Sequence, residues 1–225
     1  MIGMKSFDLI VKTLVVGAAL MLSGLSLSVS AADQMLHPRV VTHAAFFSKE
    51  TSQKQTVDPQ VFVKDPSAKA GRGPQGIEHV VGFRPAFATD PKDSPLFNAQ
   101  GSDLPGLTLG SWLGATGDVT ITPGKSGQVR IQARFRGLIP QGVYSLFENH
   151  FDQTPIGFTP LDGKGLSNTF IANPDGTASI SVTAPEKLTS DNAVLLVYHS
   201  DATPHGQSRG AIGVTAHHQL IAKIR

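Results

Sequence analysis

The sequence predicts an all-β fold, an antiparallel Greek-key sandwich or flattened barrel of about seven or eight strands behind a Pro/Gly-rich extension. Three observations predict it. Gln128–Arg136 alternates strictly, with Val129, Ile131, Ala133 and Phe135 on one face and Arg130, Gln132, Arg134 and Arg136 on the other, which is the two-residue repeat of a strand with one buried side. Turn signals recur about every ten residues through the second half. The chain carries 23 Gly and 15 Pro, and no stretch shows a convincing amphipathic helical period, so short strands and turns dominate the expectation.

Taken in order, the first 32 residues read as an export signal. Lys5 and Lys12 give a positive start, Leu14–Leu27 is apolar but broken by Gly17, Ser23, Gly24 and Ser26, and small residues at Ser28, Ser30, Ala31 and Ala32 suit cleavage. The apolar run is shorter than the roughly 20 residues a spanning helix needs, so no membrane span is expected after cleavage. Periplasmic or secreted localisation follows. Residues 33–94 are punctuated by Asp58-Pro59, Asp65-Pro66, Gly73-Pro74, Arg84-Pro85 and Asp90-Pro91. Proline removes a backbone donor and extends its neighbour, so the expectation is an extended, weakly structured arm, with a disordered linker as the alternative and short strands at Gln60–Val63 and Glu78–Phe83.

From residue 95 to 225 the pattern becomes that of a domain. Val119 and Ile121 alternate and join Gln128–Arg136 through Pro123-Gly124-Lys125-Ser126-Gly127 as a hairpin. Val143–Phe147 follows a Pro140-Gln141-Gly142 turn. Asn168–Ala172 and Thr177–Ala184 flank Asn173-Pro174-Asp175-Gly176, and Ala193–Tyr198 and Ala211–Ile224 complete the set. Trp112, Leu107 and Leu109 are expected to cap one end of the core. The mature chain is near neutral and has no basic cluster interleaved with aromatics, which argues against nucleic acid as a partner. The chain has no cysteine, so packing alone must hold it despite export.

Four segments in order resemble the copper–zinc superoxide dismutase family: Gly137-Leu138…Gly142-Val143-Tyr144…Phe151-Asp152, Gly165-Leu166-Ser167-Asn168…Asp175-Gly176-Thr177-Ala178, Leu195-Leu196-Val197-Tyr198-His199, and Ser208-Arg209-Gly210-Ala211-Ile212-Gly213-Val214. The resemblance implies an eight-stranded Greek-key sandwich, with His199 at the place of a copper ligand and Arg209 at the place of the arginine that guides the anion. Most of the family's site is missing. A His-X-His pair, which puts two imidazoles on one face of a strand, is replaced by Tyr144-Ser145-Leu146-Phe147-Glu148-Asn149-His150. No histidine lies between His150 and His199, and the zinc aspartate falls at Gly165.

The stretch Val194–Leu220 holds four of the eight histidines and Arg209. His199, His205 and His150 are the candidate metal ligands, for copper or zinc, with Asp201 or Glu148 as an oxygen donor. His217 and His218 are strand neighbours, so they face opposite ways. Arg209 either draws in a small anion or ties the loop to its own carbonyls. No G-x-S-x-G, HExxH or phosphate loop is present. The expected role is a non-catalytic binding or envelope-structural module with an unknown ligand or partner. The alternative is a copper- or zinc-binding protein of the dismutase type with weak superoxide dismutase activity.

Overall fold

The computed structural model describes Gln34–Arg225, and the expected export signal lies outside the described residues. Fifteen strands and two short helices build several antiparallel sheets, the all-β architecture the sequence predicts. No helix among the described residues is long and apolar enough to cross a membrane.

Two sheets face each other. One orders β8 (Thr116–Pro123), β9 (Val129–Arg136) and β13 (Ala178–Ala184) as β13-β9-β8. The other orders β1 (Val40–Thr42), β10 (Val143–His150), β11 (Gly157–Pro160), β14 (Asn192–His199) and β15 (Ala216–Lys223) as β1-β15-β14-β10-β11, with β12 (Thr169–Ile171) also paired to β10. The pairings β9–β13 and β10–β14 join strands far apart in sequence, as a Greek key requires. The alternation in β9 is obeyed: Val129, Ile131, Ala133 and Phe135 are buried and the residues between them exposed. Across the gap they meet Tyr144, Leu146, Val194, Leu196, Tyr198 and Leu220 in one core. A bridge between Leu36 and Ile121 ties the N-terminal segment to β8.

The extended, weakly structured arm predicted for residues 33–94 is not what the structure contains. This segment supplies β1, helix α1 (His43–Glu50), β2 (Val57–Lys64), β3 (Gly71–Arg72), β4 (Glu78–His79) and β5 (Phe83–Phe87). With β6 (Pro95–Phe97) and β7 (Asp103–Thr108), two of these form a third sheet, β5-β2-β6-β7. Val61, Val63, Ala86 and Leu96 from that sheet belong to the same core as the sandwich. The prolines that suggested an arm sit where a ladder tolerates them. Pro59 lies where the β2–β5 register shifts between Asp58 and Phe62, and bulges are one of the few places a sheet accepts proline.

Neither helix was legible in the sequence, because both are short and both depend on caps. Thr42 accepts from the Ala45 amide at the start of α1. Thr108 and Ser111 form a reciprocal capping box on α2 (Leu109–Leu113). Helix α2 buries Trp112 and Leu109, as expected for a cap on the core. Helix α1 lies over the outer face of the larger sheet, where Phe46 packs with Phe147, Leu195, Val197 and Ile221.

The loop after β11 is built around one carboxylate. Asp162 accepts from the backbone amides of Lys164, Gly165, Leu166 and Ser167 and from the Ser167 hydroxyl. Burial alone would raise this carboxyl. The amides of Ser167, Gly165, Lys164 and Leu166 outweigh it and hold the group at about 2. Asp162→Ala is expected to cost about 2 kcal/mol, since hydrogen bonds to a charged acceptor are lost at a partly solvated site. Urea unfolding at pH 7 measures it. A loss below about 0.5 kcal/mol would show that the loop holds itself without the carboxylate.

Candidate functional site

Among the described residues, the outer face of the larger sheet carries the polar chemistry. Strand alternation decides which residues reach it. In β14, Val194, Leu196 and Tyr198 enter the core, so Leu195, Val197 and His199 face outward. In β15 a bulge near Gln219 changes the count, because Val197 pairs with His218 while Leu196 pairs with Leu220. His217 therefore points inward against Trp112 and Tyr198. His218 points outward against His43 and Phe158. The two histidines do face opposite ways, as the strand period predicts.

The predicted three-histidine centre is not assembled. His199 pairs with Val143 at the start of β10, whereas His150 pairs with Asn192 at its far end. Seven residues of strand separate these positions, about 23 Å at the usual rise. His150 instead meets the Thr159 hydroxyl at 2.9 Å and lies 3.7 Å from Glu148, so Glu148 is also remote from His199. His199 and His205 do come together, with ring centroids 5.2 Å apart. Asp201 is with them but bonds His205, Oδ2 to Nε2 at 3.0 Å. His199 Nε2 is taken by the Ser145 hydroxyl at 2.8 Å, and His199 Nδ1 is buried with no partner.

No group of three or more His, Asp or Glu side chains among the described residues is placed to hold a metal ion. The position of the family's zinc aspartate is closed as well. Gly165 has φ +72, and a Cβ there would run into the backbone of Gly206. The residues present do not fit a copper–zinc centre of that family's kind.

Sequence reasoning missed a second cluster, in which the predicted arm docks onto β15. The bulge in β2 turns Asp58 and Gln60 into the protein. Asp58 accepts from the Trp112 indole at 2.8 Å and from the amides of Gln60 and Val61. Gln60 closes on β15 with three contacts. Its backbone carbonyl accepts from His217 Nδ1 at 2.9 Å, its side-chain oxygen accepts from the His218 amide at 2.6 Å, and its Nε2 lies 3.0 Å from His218 Nδ1. The signal was present as Asp58-Pro59-Gln60, but nothing local says that a bulge there aims at a strand 158 residues away.

Burial sets the charge of this cluster. It holds His43 at about 3, helped by the Arg209 charge, and His217 at about 4. His218 is held well below the usual imidazole range by burial first and then by His43, Arg209 and His217. His199 is held at about 4 by burial and by His205. All four are neutral at pH 7. Burial pushes the Asp58 carboxyl up to about 6 against its three donors.

Arg209 sits at the edge of this cluster. Its guanidinium stacks on the Phe158 ring, 3.1 Å from the centroid, and Nη1 lies 3.2 Å from His218 Nε2. Burial lowers it to about 10, so it stays cationic at neutral pH. A neutral imidazole accepts at one nitrogen only, so His218 can accept from Gln60 or from Arg209 but not from both. Gln60 Nε2 also donates to Gln75 Oε1 at 2.8 Å, whereas Arg209 can only donate, and His218 Nε2 is the one protein atom placed to accept from its guanidinium among the described residues. Among the described residues the guanidinium has no carboxylate partner within 4.0 Å and its one hydrogen bond goes to His218 and not to a loop carbonyl, so the reading of Arg209 as a loop tie finds no support.

Comparison with family models, with curated proteins and with solved structures gives no match.

Proposed function

We propose that this chain is an exported, non-catalytic binding protein whose recognition group is Arg209, and whose ligand is a small carboxylate or similar oxyanion. The single observation that carries the reading is an arginine whose one protein acceptor among the described residues is an imidazole nitrogen. A half-buried guanidinium, stacked flat on Phe158, is fixed in place and stripped of part of its water, while its donor fork has no protein oxygen to bond. A planar anion supplies what is missing, because two parallel N–H donors match two oxygens. The resemblance to the dismutase family is in keeping with an anion at this arginine. The reduced set of histidines, with no His-X-His pair and His150 at the far end of β10, favours binding over redox turnover.

The experiment is a titration with acetate and malonate, followed by NMR of the imidazole protons of His205 and His218 at pH 7. Saturable shifts at His218 that vanish in Arg209→Gln are expected. No saturable shift, or one that Arg209→Gln leaves unchanged, would remove Arg209 as the recognition group. The same variant gives up the stacking on Phe158, about 1 kcal/mol, and its urea midpoint should fall by no more than that.

A further inference from the structure

A second site lies at the opposite end of the same sheet. Beyond the last paired residues of β1 and β15, four cations from three segments gather: Arg39 before β1, Lys49 in the last turn of α1, and Lys223 and Arg225 at the end of β15. The register fixes the crowding. Val40 pairs with Ala222 and Val41 with Ile221, so Arg39 continues opposite Lys223. Alternation places Ile221, Lys223 and Arg225 on the outer face, with Val41 and Arg39 beside them. Like charges directly opposite on neighbouring strands destabilise a sheet. Yet among the described residues none of the four cations lies within 4.0 Å of a carboxylate.

The space around them is concave. All four cations line a cleft of about 170 Å³ with Val41 and Phe46 in its wall. Arg39, Lys223 and Arg225 also line a neighbouring hollow of about 190 Å³. The three shared cations thus stand between two hollows. Lys223 is held in position by the Phe151 ring, its Nζ 4.7 Å from the centroid. Phe151 in turn packs on Phe46. Glu50 is the one acidic side chain in the wall of the cleft, and it pairs with none of the cations. Cationic side chains there outnumber acidic ones four to one. The C-terminal end of α1 accounts for Lys49 through the helix dipole, but nothing within the fold accounts for Arg39 and Lys223 side by side.

We infer that this cleft binds a phosphate-ester anion, with Arg39, Lys49, Lys223 and Arg225 as its charge partners. A multiply charged oxyanion relieves the cross-strand repulsion, and two guanidinium forks suit tetrahedral phosphate oxygens. A free phosphate compound and a phospholipid headgroup share this chemistry. The site stands apart from Arg209, since His218 and Lys223 are five residues apart along β15, about 17 Å at the usual rise.

The test uses the whole chain in two arms. Calorimetric titration with inorganic pyrophosphate at low salt probes a soluble ligand. Co-sedimentation with phosphatidylglycerol vesicles, against phosphatidylcholine vesicles, probes a headgroup. Saturable binding in either arm, weakened about tenfold or more by the exposed double charge reversal Arg39→Glu/Arg225→Glu and unchanged by Arg209→Gln, supports the site. The arm that responds identifies the source. Absence of binding in both arms, or binding that the double reversal leaves intact, overturns it. A loss caused by Arg209→Gln alone would move the anion to the other end of the sheet and overturn it equally. The Lys223→Gln variant, which keeps the stem over Phe151 and removes the charge, repeats the test should the double reversal fail to fold.

Discussion

Acidification from pH 7 is expected to unfold this protein between about pH 6 and 4, well above the range where carboxylate pairs usually give way. The cause is the set of buried neutral histidines. In the unfolded chain an imidazole takes a proton near pH 6.5. In the fold, His43 is held at about 3 and His199 and His217 at about 4, with His218 also held low. Each folded value is depressed, so the unfolded state binds more protons throughout this window and stability falls with pH. The contribution is complete above about pH 6.5 and is lost as the pH drops toward the folded values. A depression of that size is worth on the order of 3 kcal/mol per group, and three or four such groups match the whole stability of an ordinary domain. Asp58 and Glu148 work the other way. Burial raises them to about 6 and about 7, so the folded state takes those protons first and they return some stability as the pH falls below those values. Two groups do not offset four. The single tryptophan, Trp112, lies edge-on to His217, so its fluorescence reads the transition. His43→Phe keeps a ring against His218 and removes a buried nitrogen that has no partner. It is expected to move the acid midpoint down by several tenths of a pH unit without loss at pH 7. A midpoint that stays put in this variant would show that the buried histidines do not drive the transition.

The second large effect is expected at Trp112. Its indole N–H is a donor to a buried carboxylate that has no cation beside it. Trp112→Phe keeps most of the packing but withdraws that donor, leaving Asp58 with two backbone amides. Removing one partner of a buried charged acceptor costs about 2–3 kcal/mol at pH 7, and the smaller ring adds a cavity cost of about 1 kcal/mol. The loss must shrink as the pH falls toward 6, because a protonated Asp58 needs the donor less. Urea midpoints at about pH 8 and about pH 6.5, above the acid transition and read by circular dichroism, test this. An equal loss at both values would assign the whole effect to packing and none to the carboxylate. With Asp58→Asn as the background, the loss caused by Trp112→Phe should no longer vary with pH, because the group that titrates beside the indole is gone.

The sandwich was legible because its signals are local. The period of Gln128–Arg136, the Asn173-Pro174-Asp175-Gly176 turn and the hairpin at Pro123–Gly127 each declare themselves within about ten residues. The third sheet was not legible, for the opposite reason. Pro59, Pro85 and Pro95 look like breakers along the chain, and only the partner strands reveal that they fall at a bulge or a strand end. The candidate site divides in the same way. That His217 and His218 face apart follows from strand geometry, as does the outward aim of His199. The failure of His150 to join them follows from register, since β10 runs from the His199 end of the sheet to the opposite end. Two residues at either end of one strand cannot share an ion, and a sequence without its pairing does not say which end is which. Arg209 was visible as a residue, but its placement between the Phe158 ring and His218, away from any carboxylate, depends on the packing of strands that are distant in sequence.

The bond from Gln60 to His218 and the pairing of Val40 with Ala222 join the two halves of the chain at their extremes. Such closures make the mean sequence separation of interacting residues high, which places folding on the slow side, in milliseconds to seconds. An emerging polypeptide that lacks its last ten residues has no strand for Val40–Thr42 to pair with and no socket for Gln60. It therefore stays open until β15 has been made, and both closures then form together on that one strand.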